Sequence, residues 1–229
     1  MAKSFEFGVV FDMDGVLIDS ADAHYCSWRD LGVEHDLTIT REQFDGSFGM
    51  HNADIIPAFF GPVDDQRLAT LADRKETIYR DIIRNDPPLV EGAASLIRDL
   101  HDAGAAVGIG SSGPLANIRL VLEALGVAAL IHSIVSAEDV TRGKPDPQVF
   151  TIACSRLGLP PHRCVVVEDA PAGVAAGKAA GASVVGVMMY HPAERLADAD
   201  RIVPRLADLT VQACEKLSLG RDLDTRSAL

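Results

Sequence analysis

Two aspartates stand one residue apart in the stretch FDMDGVLIDS, where an apolar run ends. Asp12 and Asp14 are followed by Gly15, by a second apolar segment and by a further acid, Asp19. Carboxylates placed this close together are unfavourable unless a cation pairs with them. A calcium-binding EF-hand loop would need a glutamate at its twelfth position, where this chain has Ala23. The pattern therefore predicts a cation site of another kind.

Further polar side chains follow later apolar runs. Ser111 and Ser112 end the run AVGIGSS, Lys144 lies in the loop RGKPDP, and Glu168 and Asp169 end the run CVVVED. The acids offer hard oxygen ligands without soft ones, which favours Mg²⁺. Magnesium held by a few carboxylates leaves positions open for water and phosphate oxygens. Together with a lysine and a serine hydroxyl, this set predicts a site for phosphoryl transfer, which depends on positioning and charge neutralisation.

Short apolar runs rich in β-branched residues predict the strands that carry these side chains. They cover residues 7–12, 106–112, 131–139, 164–169 and 182–187. Helical patterns that end near a glycine separate the later runs. Strands that are apolar throughout and alternate with helices predict a doubly wound, Rossmann-like α/β domain with a parallel sheet. Ligands bind at the carboxyl ends of the strands in such sheets, which is where the polar side chains fall.

A long helical segment separates the first strand from the rest of the sheet. The connection from Asp12 to the run at residue 106 is too long for one crossover helix. Residues 20–86 show helical patterns throughout, with a Thr40/Gln43 capping box. We therefore predict a core domain of residues 1–18 and 88–229, and an inserted α-helical cap domain of residues 19–87.

The composition narrows the classes of partner. The 229 residues carry a net charge of −12, which disfavours nucleic acid and anionic membranes because both bind clustered Lys and Arg. Four scattered cysteines predict neither a disulfide framework nor a zinc site and favour a reducing compartment. No signal-peptide or membrane-spanning stretch is visible. We expect a cytoplasmic monomer or weak homodimer that acts on a small phosphorylated metabolite.

The order of these motifs resembles that of the haloacid dehalogenase superfamily of phosphohydrolases, over most of the chain. The matching segments are DMDGV (12–16), GIGSSG with Ser111, GKPDP with Lys144, and VVVEDAPAG with Glu168 and Asp169. The resemblance implies that Ser111 and Lys144 are catalytic residues that contact the phosphoryl group. Each motif alone is common, so the identification depends on their combination in one order.

The resemblance also implies roles for the acids. Asp12 would attack phosphorus and form an aspartyl-phosphate. Asp14 would protonate the leaving oxygen and later activate the hydrolytic water. Mg²⁺ would be held by Asp12, by the backbone carbonyl of Asp14 and by Asp169, with Glu168 either a ligand or the neighbour of one.

The helical insert resembles the small cap of the β-phosphoglucomutase and phosphoglycolate phosphatase branch. His24 lies four residues before Trp28 on one helix face, and the resemblance implies that His24 couples cap closure to proton transfer. We expect Trp28 to belong to the apolar interior of the cap. The segment GSFGMHN (46–52) matches the loop that contacts the substrate in this branch. The expected substrate-binding residues are His24, Gly46, His51, Asn52, Ser112 and Gly113.

Several reactions share this scaffold. Asp14 argues against carbon–halogen cleavage, which needs no second aspartate. A phosphonate hydrolase needs a cap lysine as imine nucleophile, and Lys75 lies in a late helix outside the substrate loop. The remaining alternatives are a phosphatase, a phosphomutase of the β-phosphoglucomutase type, and a phosphate-sensing module without turnover.

Phosphatase and mutase differ in what holds a second phosphate. The mutases have an arginine in the cap loop, where this chain has Gly49, with His51 the only cation nearby. Gly113, Pro114 and Leu115 follow the serines in place of polar or basic donors. A second phosphate would be poorly held without such donors. The sequence therefore favours a phosphatase acting on a small phosphomonoester.

Overall fold

The computed structural model describes residues 5–47, 50 and 52–220 of the chain. The chain divides into two compact units, one of Met1–Ile18 with Leu89–Leu229 and one of Asp19–Pro88. We call the first the core unit and the second the cap unit. None of the helices in the described residues is both long enough and apolar enough to cross a membrane.

A parallel sheet forms the centre of the core unit and contains six strands among the described residues. The strands are β1 (Gly8–Phe11), β2 (Ala106–Gly110), β3 (Ser133–Val135), β4 (Cys164–Glu168), β5 (Ser183–Val187) and β6 (Arg201–Val203). Their order in the sheet is β3-β2-β1-β4-β5-β6. Every residue of β1, β2 and β4 is buried, as expected for a sheet covered on both faces. The predicted doubly wound α/β fold is confirmed.

The register of the sheet brings the carboxyl ends of its central strands together. Phe11, the last residue of β1, pairs with Val167 of β4 and with Ile109 of β2. Asp12 continues this pairing, since its amide donates to the Val167 carbonyl at 2.9 Å. The residues that follow β1, β2 and β4 therefore lie at one edge of the sheet.

The third strand is shorter than the predicted 131–139 segment. Its pairing ends at Val135, and a 3₁₀ turn over Ala137–Asp139 follows. The Asp139 carboxylate accepts hydrogen bonds from the amide of Ser136 at 2.9 Å and from its hydroxyl at 3.0 Å. These local bonds give the Ser136 backbone a partner outside the sheet, which ends the strand.

Helices form the cap unit, where the described residues contain no strand. They are α1 (Ala21–Val33), α2 (Arg41–Asp45), α3 (Asn52–Phe60) and α4 (Asp65–Ile83). Trp28 is 1% exposed and packs edge-on against Phe59, with ring centroids 5.6 Å apart, as expected for the apolar interior. The predicted capping box is confirmed, because the Gln43 amide donates to Thr40 Oγ1 and the Thr40 amide donates to Gln43 Oε1.

The remaining helices belong to the core unit. They are α5 (Ala93–Asp102), α6 (Leu115–Leu125), α7 (Gln148–Arg156), α8 (Pro171–Ala180) and α9 (Val211–Leu219). Residues 190–210 contain two 3₁₀ turns, Ala193–Leu196 and Leu206–Asp208, with β6 between them. Helix α9 follows without having been predicted.

Candidate active site

The first two aspartates leave the sheet directly after β1. Asp12 is 8% exposed, and Asp14 is partly buried in the turn that follows. The turn is closed by backbone hydrogen bonds, among them the Gly15 amide to the Ile18 carbonyl at 2.8 Å. Asp19 lies beyond this turn and is exposed. The three acids of the opening stretch therefore occupy different environments.

Lys144 joins two of the predicted acids. Its Nζ lies 2.8 Å from Asp12 Oδ1 and 2.7 Å from Glu168 Oε1, and its side chain is 10% exposed. The ammonium also lies 4.8 Å from the centre of the Phe150 ring. Because both carboxylates are buried, the lysine supplies the positive charge that their burial requires.

Three carboxylates meet at the carboxyl ends of β1 and β4. Asp12, Glu168 and Asp169 each offer one oxygen, and these oxygens lie within 4.8 Å of one another. Burial, opposed by Lys144 and reinforced by Glu168 and Asp14, raises the pKa of Asp12 to about 7. Burial and the charges of Glu168 and Asp12 likewise raise the pKa of Asp169 well above its usual range. One lysine does not balance these charges, and an all-oxygen donor set of this size fits a hard divalent cation.

Glu168 is the most firmly held of the acids. Its Oε1 accepts from Lys144, and its Oε2 accepts from the amides of Asp169 at 3.0 Å and Ala170 at 3.1 Å. The side chain is 1% exposed. Glu168 therefore orients Lys144 and the backbone of the acidic loop, while remaining one of the three candidate ligands.

Two of the acidic side chains occupy space that is open only because the neighbouring residues are glycines. Gly15 has a φ of 76°, and a Cβ on it would lie 2.0 Å from Asp169 Oδ2. A Cβ on Gly173, in the first turn of α8, would lie 1.7 Å from Glu168 Oε1. Any side chain at either position would displace a carboxylate. Gly173 lies within the VVVEDAPAG segment, whose pattern alone predicts no role for it.

Ser111 lies at the same edge of the sheet, directly after β2. It is fully buried, and its Oγ accepts a hydrogen bond from the Gly113 amide at 3.0 Å. Its hydroxyl proton is therefore directed away from that amide and is available to an acceptor. A Cβ on Gly113 would lie 3.8 Å from Asp14 Oδ2, which brings this turn next to the second aspartate. Ser112 is exposed.

In the cap unit, two predicted substrate residues belong to one polar cluster. His24 stacks on Tyr79 with ring centroids 4.2 Å apart, and its Nδ1 lies 2.8 Å from Lys75 Nζ. Lys75 Nζ also lies 2.9 Å from Glu76 Oε1, which accepts a hydrogen bond from Asn52 Nδ2 at 2.8 Å. Lys75 and Glu76 are buried, and neither is among the residues predicted from the sequence to bind substrate.

The remaining cap predictions fall on the segment 46–52, which is predicted to contact the substrate. Gly46 is the C-terminal cap of α2, where its amide donates to carbonyls of that helix. His51 lies outside the described residues. The sequence signal for the cluster was in α4, because Lys75 follows Leu71 by four residues and precedes Tyr79 by four. This spacing places a lysine in an apolar helical stripe, where a charge requires a partner.

Comparisons with known proteins identify the family of this chain. A family model for haloacid dehalogenase-like hydrolases matches residues 8–181. Validoxylamine A 7'-phosphate phosphatase of Streptomyces hygroscopicus subsp. limoneus is 34% identical, over 87% of this chain and 94% of its own. Beta-phosphoglucomutase of Bacillus subtilis is 30% identical, over 89% of this chain and 92% of its own.

A solved structure of a beta-phosphoglucomutase also has the same fold as this chain. The crystal structure of beta-phosphoglucomutase from Clostridium difficile superposes with a TM-score of 0.81 at 24% identity, covering 95% of this chain and 98% of that one. The family model and the sequence relatives confirm the family and the enzyme class predicted from the motifs. The chain belongs to the haloacid dehalogenase-like hydrolases.

Proposed function

We propose that this chain is a Mg²⁺-dependent phosphatase that hydrolyses a small phosphomonoester through an aspartyl-phosphate on Asp12. The arrangement of Lys144 between Asp12 and Glu168, at 2.8 and 2.7 Å, carries the proposal. The Lys144 ammonium lies beside the carboxylate that we propose as the nucleophile, at the edge of the sheet where Ser111 and Asp169 also lie. The similarity to a phosphatase over 94% of that enzyme's length supports it.

The reaction has two steps. An Asp12 carboxylate oxygen attacks phosphorus, and the bond from phosphorus to the leaving oxygen breaks as Asp14 donates a proton to that oxygen. Asp14, now a carboxylate, then takes a proton from a water whose oxygen attacks phosphorus. This second attack breaks the bond to Asp12 and releases inorganic phosphate. Lys144 and the Ser111 hydroxyl hold the phosphoryl oxygens in both steps.

The acidic group would hold the metal. Asp12, Asp169 and Glu168 would provide carboxylate ligands, and the Asp14 backbone carbonyl would be a further ligand. When bound, Mg²⁺ offsets the charge of the carboxylates and of the phosphoryl group. The side chain of Asp14 is outside the group of three converging carboxylates, and we assign it the proton transfer.

Mg²⁺ is expected to stabilise the wild-type protein, because it would pair with carboxylates that are buried together. At a hundredfold excess over its dissociation constant it should add about 2.7 kcal/mol, or roughly 5 to 10 °C in Tm. Thermal unfolding with Mg²⁺ and with EDTA measures this shift. Asp169→Asn should lose most of it, while exposed Asp19→Asn should keep it. An equal shift in the Asp169 variant would contradict the assigned ligand set.

Gly173→Ala is expected to lower kcat/KM for p-nitrophenyl phosphate by about 10- to 100-fold. It should also raise the Mg²⁺ concentration that gives half-maximal activity. The added methyl would occupy the position of Glu168 Oε1 and displace the carboxylate that holds Lys144. Steady-state kinetics across a Mg²⁺ titration measures both effects. Ala175→Ser, at an exposed position of the same helix, is the control. Wild-type kinetics in the Gly173 variant would show that the position of Glu168 does not matter.

A phosphomutase is the second candidate, favoured by the 30% identity to a beta-phosphoglucomutase. The described turn after Ser111 continues into Pro114 and Leu115, which offer no charged side chain to a second phosphate. Incubation with β-glucose 1-phosphate and a bisphosphate primer distinguishes the two. Formation of glucose 6-phosphate faster than inorganic phosphate would establish the mutase in place of the phosphatase.

A further inference from the structure

We infer that Gln148, the first residue of α7, is a positioning residue for Lys144. The inference rests on the proposed function and deepens it, because Lys144 is the residue proposed to hold the phosphoryl oxygens. It is carried by the hydrogen bonds between Gln148 and the loop on which Lys144 lies. Loss of these bonds is expected to slow the reaction although every group that contacts the substrate is still present.

Lys144 lies in a stretch without regular secondary structure, residues 140–147, which we call the lysine loop. Such a loop has no ladder of backbone hydrogen bonds to fix its position, so other contacts must hold it. The Lys144 ammonium is nevertheless placed closely, at 2.8 Å from Asp12 Oδ1 and 2.7 Å from Glu168 Oε1. A shift of about 1 Å in a positioning group can slow a reaction about a hundredfold. The bonds that hold the lysine loop therefore matter for the proposed reaction.

The Gln148 side chain holds the part of the loop that precedes the lysine. Its Oε1 accepts hydrogen bonds from the amide of Thr141 at 2.8 Å and from the amide of Arg142 at 2.9 Å. The Thr141 hydroxyl also donates to this oxygen, at 3.3 Å. Backbone amides only donate, so the atom that they share must be the carbonyl oxygen of the side-chain amide. One oxygen therefore fixes two successive backbone amides just before Lys144.

The part of the loop that follows the lysine bonds to the same residue. The Gln148 amide donates to Asp146 Oδ1 at 3.0 Å, and Arg142 Nε lies 3.1 Å from Asp146 Oδ2. The Asp146 amide donates to the Gly143 carbonyl at 3.0 Å. Gln148 therefore bonds to the loop on both sides of Lys144, through its side chain before the lysine and through its backbone after it.

Helix α7 gives Gln148 a fixed position from which to hold the loop. The next two residues, Val149 and Phe150, are buried in the apolar interior of the core unit. The Phe150 ring centre also lies 4.8 Å from Lys144 Nζ. The helix therefore contacts the lysine twice, at its ammonium through Phe150 and at the neighbouring backbone through Gln148. The bonds of Gln148 are to the loop, so we assign it positioning and leave the contact with phosphate to Lys144.

Gln148→Met tests the inference, because it keeps an unbranched side chain and removes the shared acceptor. Thr141 and Arg142 are exposed, so water can bind their amides and the variant should fold. We expect kcat/KM for p-nitrophenyl phosphate with Mg²⁺ to fall at least about tenfold. Gln148→Glu keeps an oxygen acceptor and should stay within about threefold of wild type. The control Gln212→Met, at an exposed position of α9, should also keep wild-type kinetics.

A double variant separates positioning from a general structural role. If Gln148 acts through Lys144, adding Gln148→Met to Lys144→Met should change kcat/KM by less than about twofold. A residue that only stabilises the fold would lower activity by the same factor in both backgrounds. Equal losses in the two backgrounds, or wild-type kinetics in Gln148→Met, overturn the inference. An equal loss in Gln148→Glu does so as well, because the acceptor would then not be what matters.

Amide hydrogen exchange measures the hold on the loop without any turnover. Peptides that cover residues 140–147 should exchange at least about fivefold faster in Gln148→Met than in wild type, while peptides of β1 and β4 keep their exchange rates. Unchanged exchange in the loop would show that the Gln148 side chain does not hold it, and the inference would be wrong. Absence of p-nitrophenyl phosphate hydrolysis by the wild type would instead contradict the proposed function, and the exchange rates would still show whether Gln148 holds the loop.

Discussion

Asp12→Asn is expected to lower the turnover of p-nitrophenyl phosphate by at least about a thousandfold, because the amide cannot act as the nucleophile. The substitution keeps the size of the side chain and leaves an oxygen that can accept from Lys144, which lies 2.8 Å from Asp12 Oδ1. We therefore expect the variant to fold. Steady-state release of p-nitrophenol with Mg²⁺ measures the loss, and circular dichroism checks the fold.

The matched control for this prediction is Asp19→Asn, which removes the same charge from the same stretch. Asp19 is exposed, whereas Asp12 is 8% exposed. The control should retain wild-type turnover within about threefold. If the Asp12 variant turned over within tenfold of wild type, another group would have to attack phosphorus, and the proposed mechanism would be wrong.

Lys144→Met is expected to have the second largest effect, lowering kcat/KM by at least about a hundredfold. Methionine is unbranched like lysine but one atom shorter, and it removes the charge that lies between Asp12 and Glu168. It should also reduce the free energy of unfolding by about 3 kcal/mol in the absence of metal, because the buried carboxylates lose their partner. Urea unfolding in EDTA measures the second effect, and p-nitrophenyl phosphate kinetics measures the first.

Lys178→Met is the control for both effects. Lys178 is 40% exposed and pairs with Asp200 in the same unit. An exposed ion pair contributes about 0 to 1 kcal/mol, so this variant should unfold nearly as wild type and keep its activity. Equal losses of kcat/KM and of unfolding free energy in the two lysine variants would mean that Lys144 acts only through the net charge of the protein.

The positions of the catalytic candidates could be predicted because they depend on strand ends. Apolar runs locate the strands, and parallel strands expose their carboxyl ends at one edge of the sheet. Asp12 and Glu168 are therefore brought together by β1 and β4, although they are far apart in the chain. Ser111 follows from β2 in the same way.

The cluster in the cap unit could not be predicted in the same way. Lys75 and Glu76 contact His24 and Asn52 through the packing of helices, and sequence spacing does not specify which helices meet. The need for a glycine at position 173 could not be predicted either, because it depends on the close approach of the Glu168 carboxylate from β4. Local hydrogen bonding also ended β3 early, since the Ser136 backbone bonds to Asp139.

The proposed mechanism requires that the phosphoryl group is transferred to Asp12 before water attacks phosphorus. The variant Asp14→Asn separates the two steps, because p-nitrophenolate leaves without a proton, whereas the attacking water needs a base. Rapid mixing of this variant with p-nitrophenyl phosphate and Mg²⁺ should give a burst of one p-nitrophenol per enzyme, followed by slow turnover. Mass spectrometry of the acid-quenched protein should then locate one phosphoryl group on Asp12. Slow turnover without a burst, or a phosphoryl group on another residue, would contradict the account.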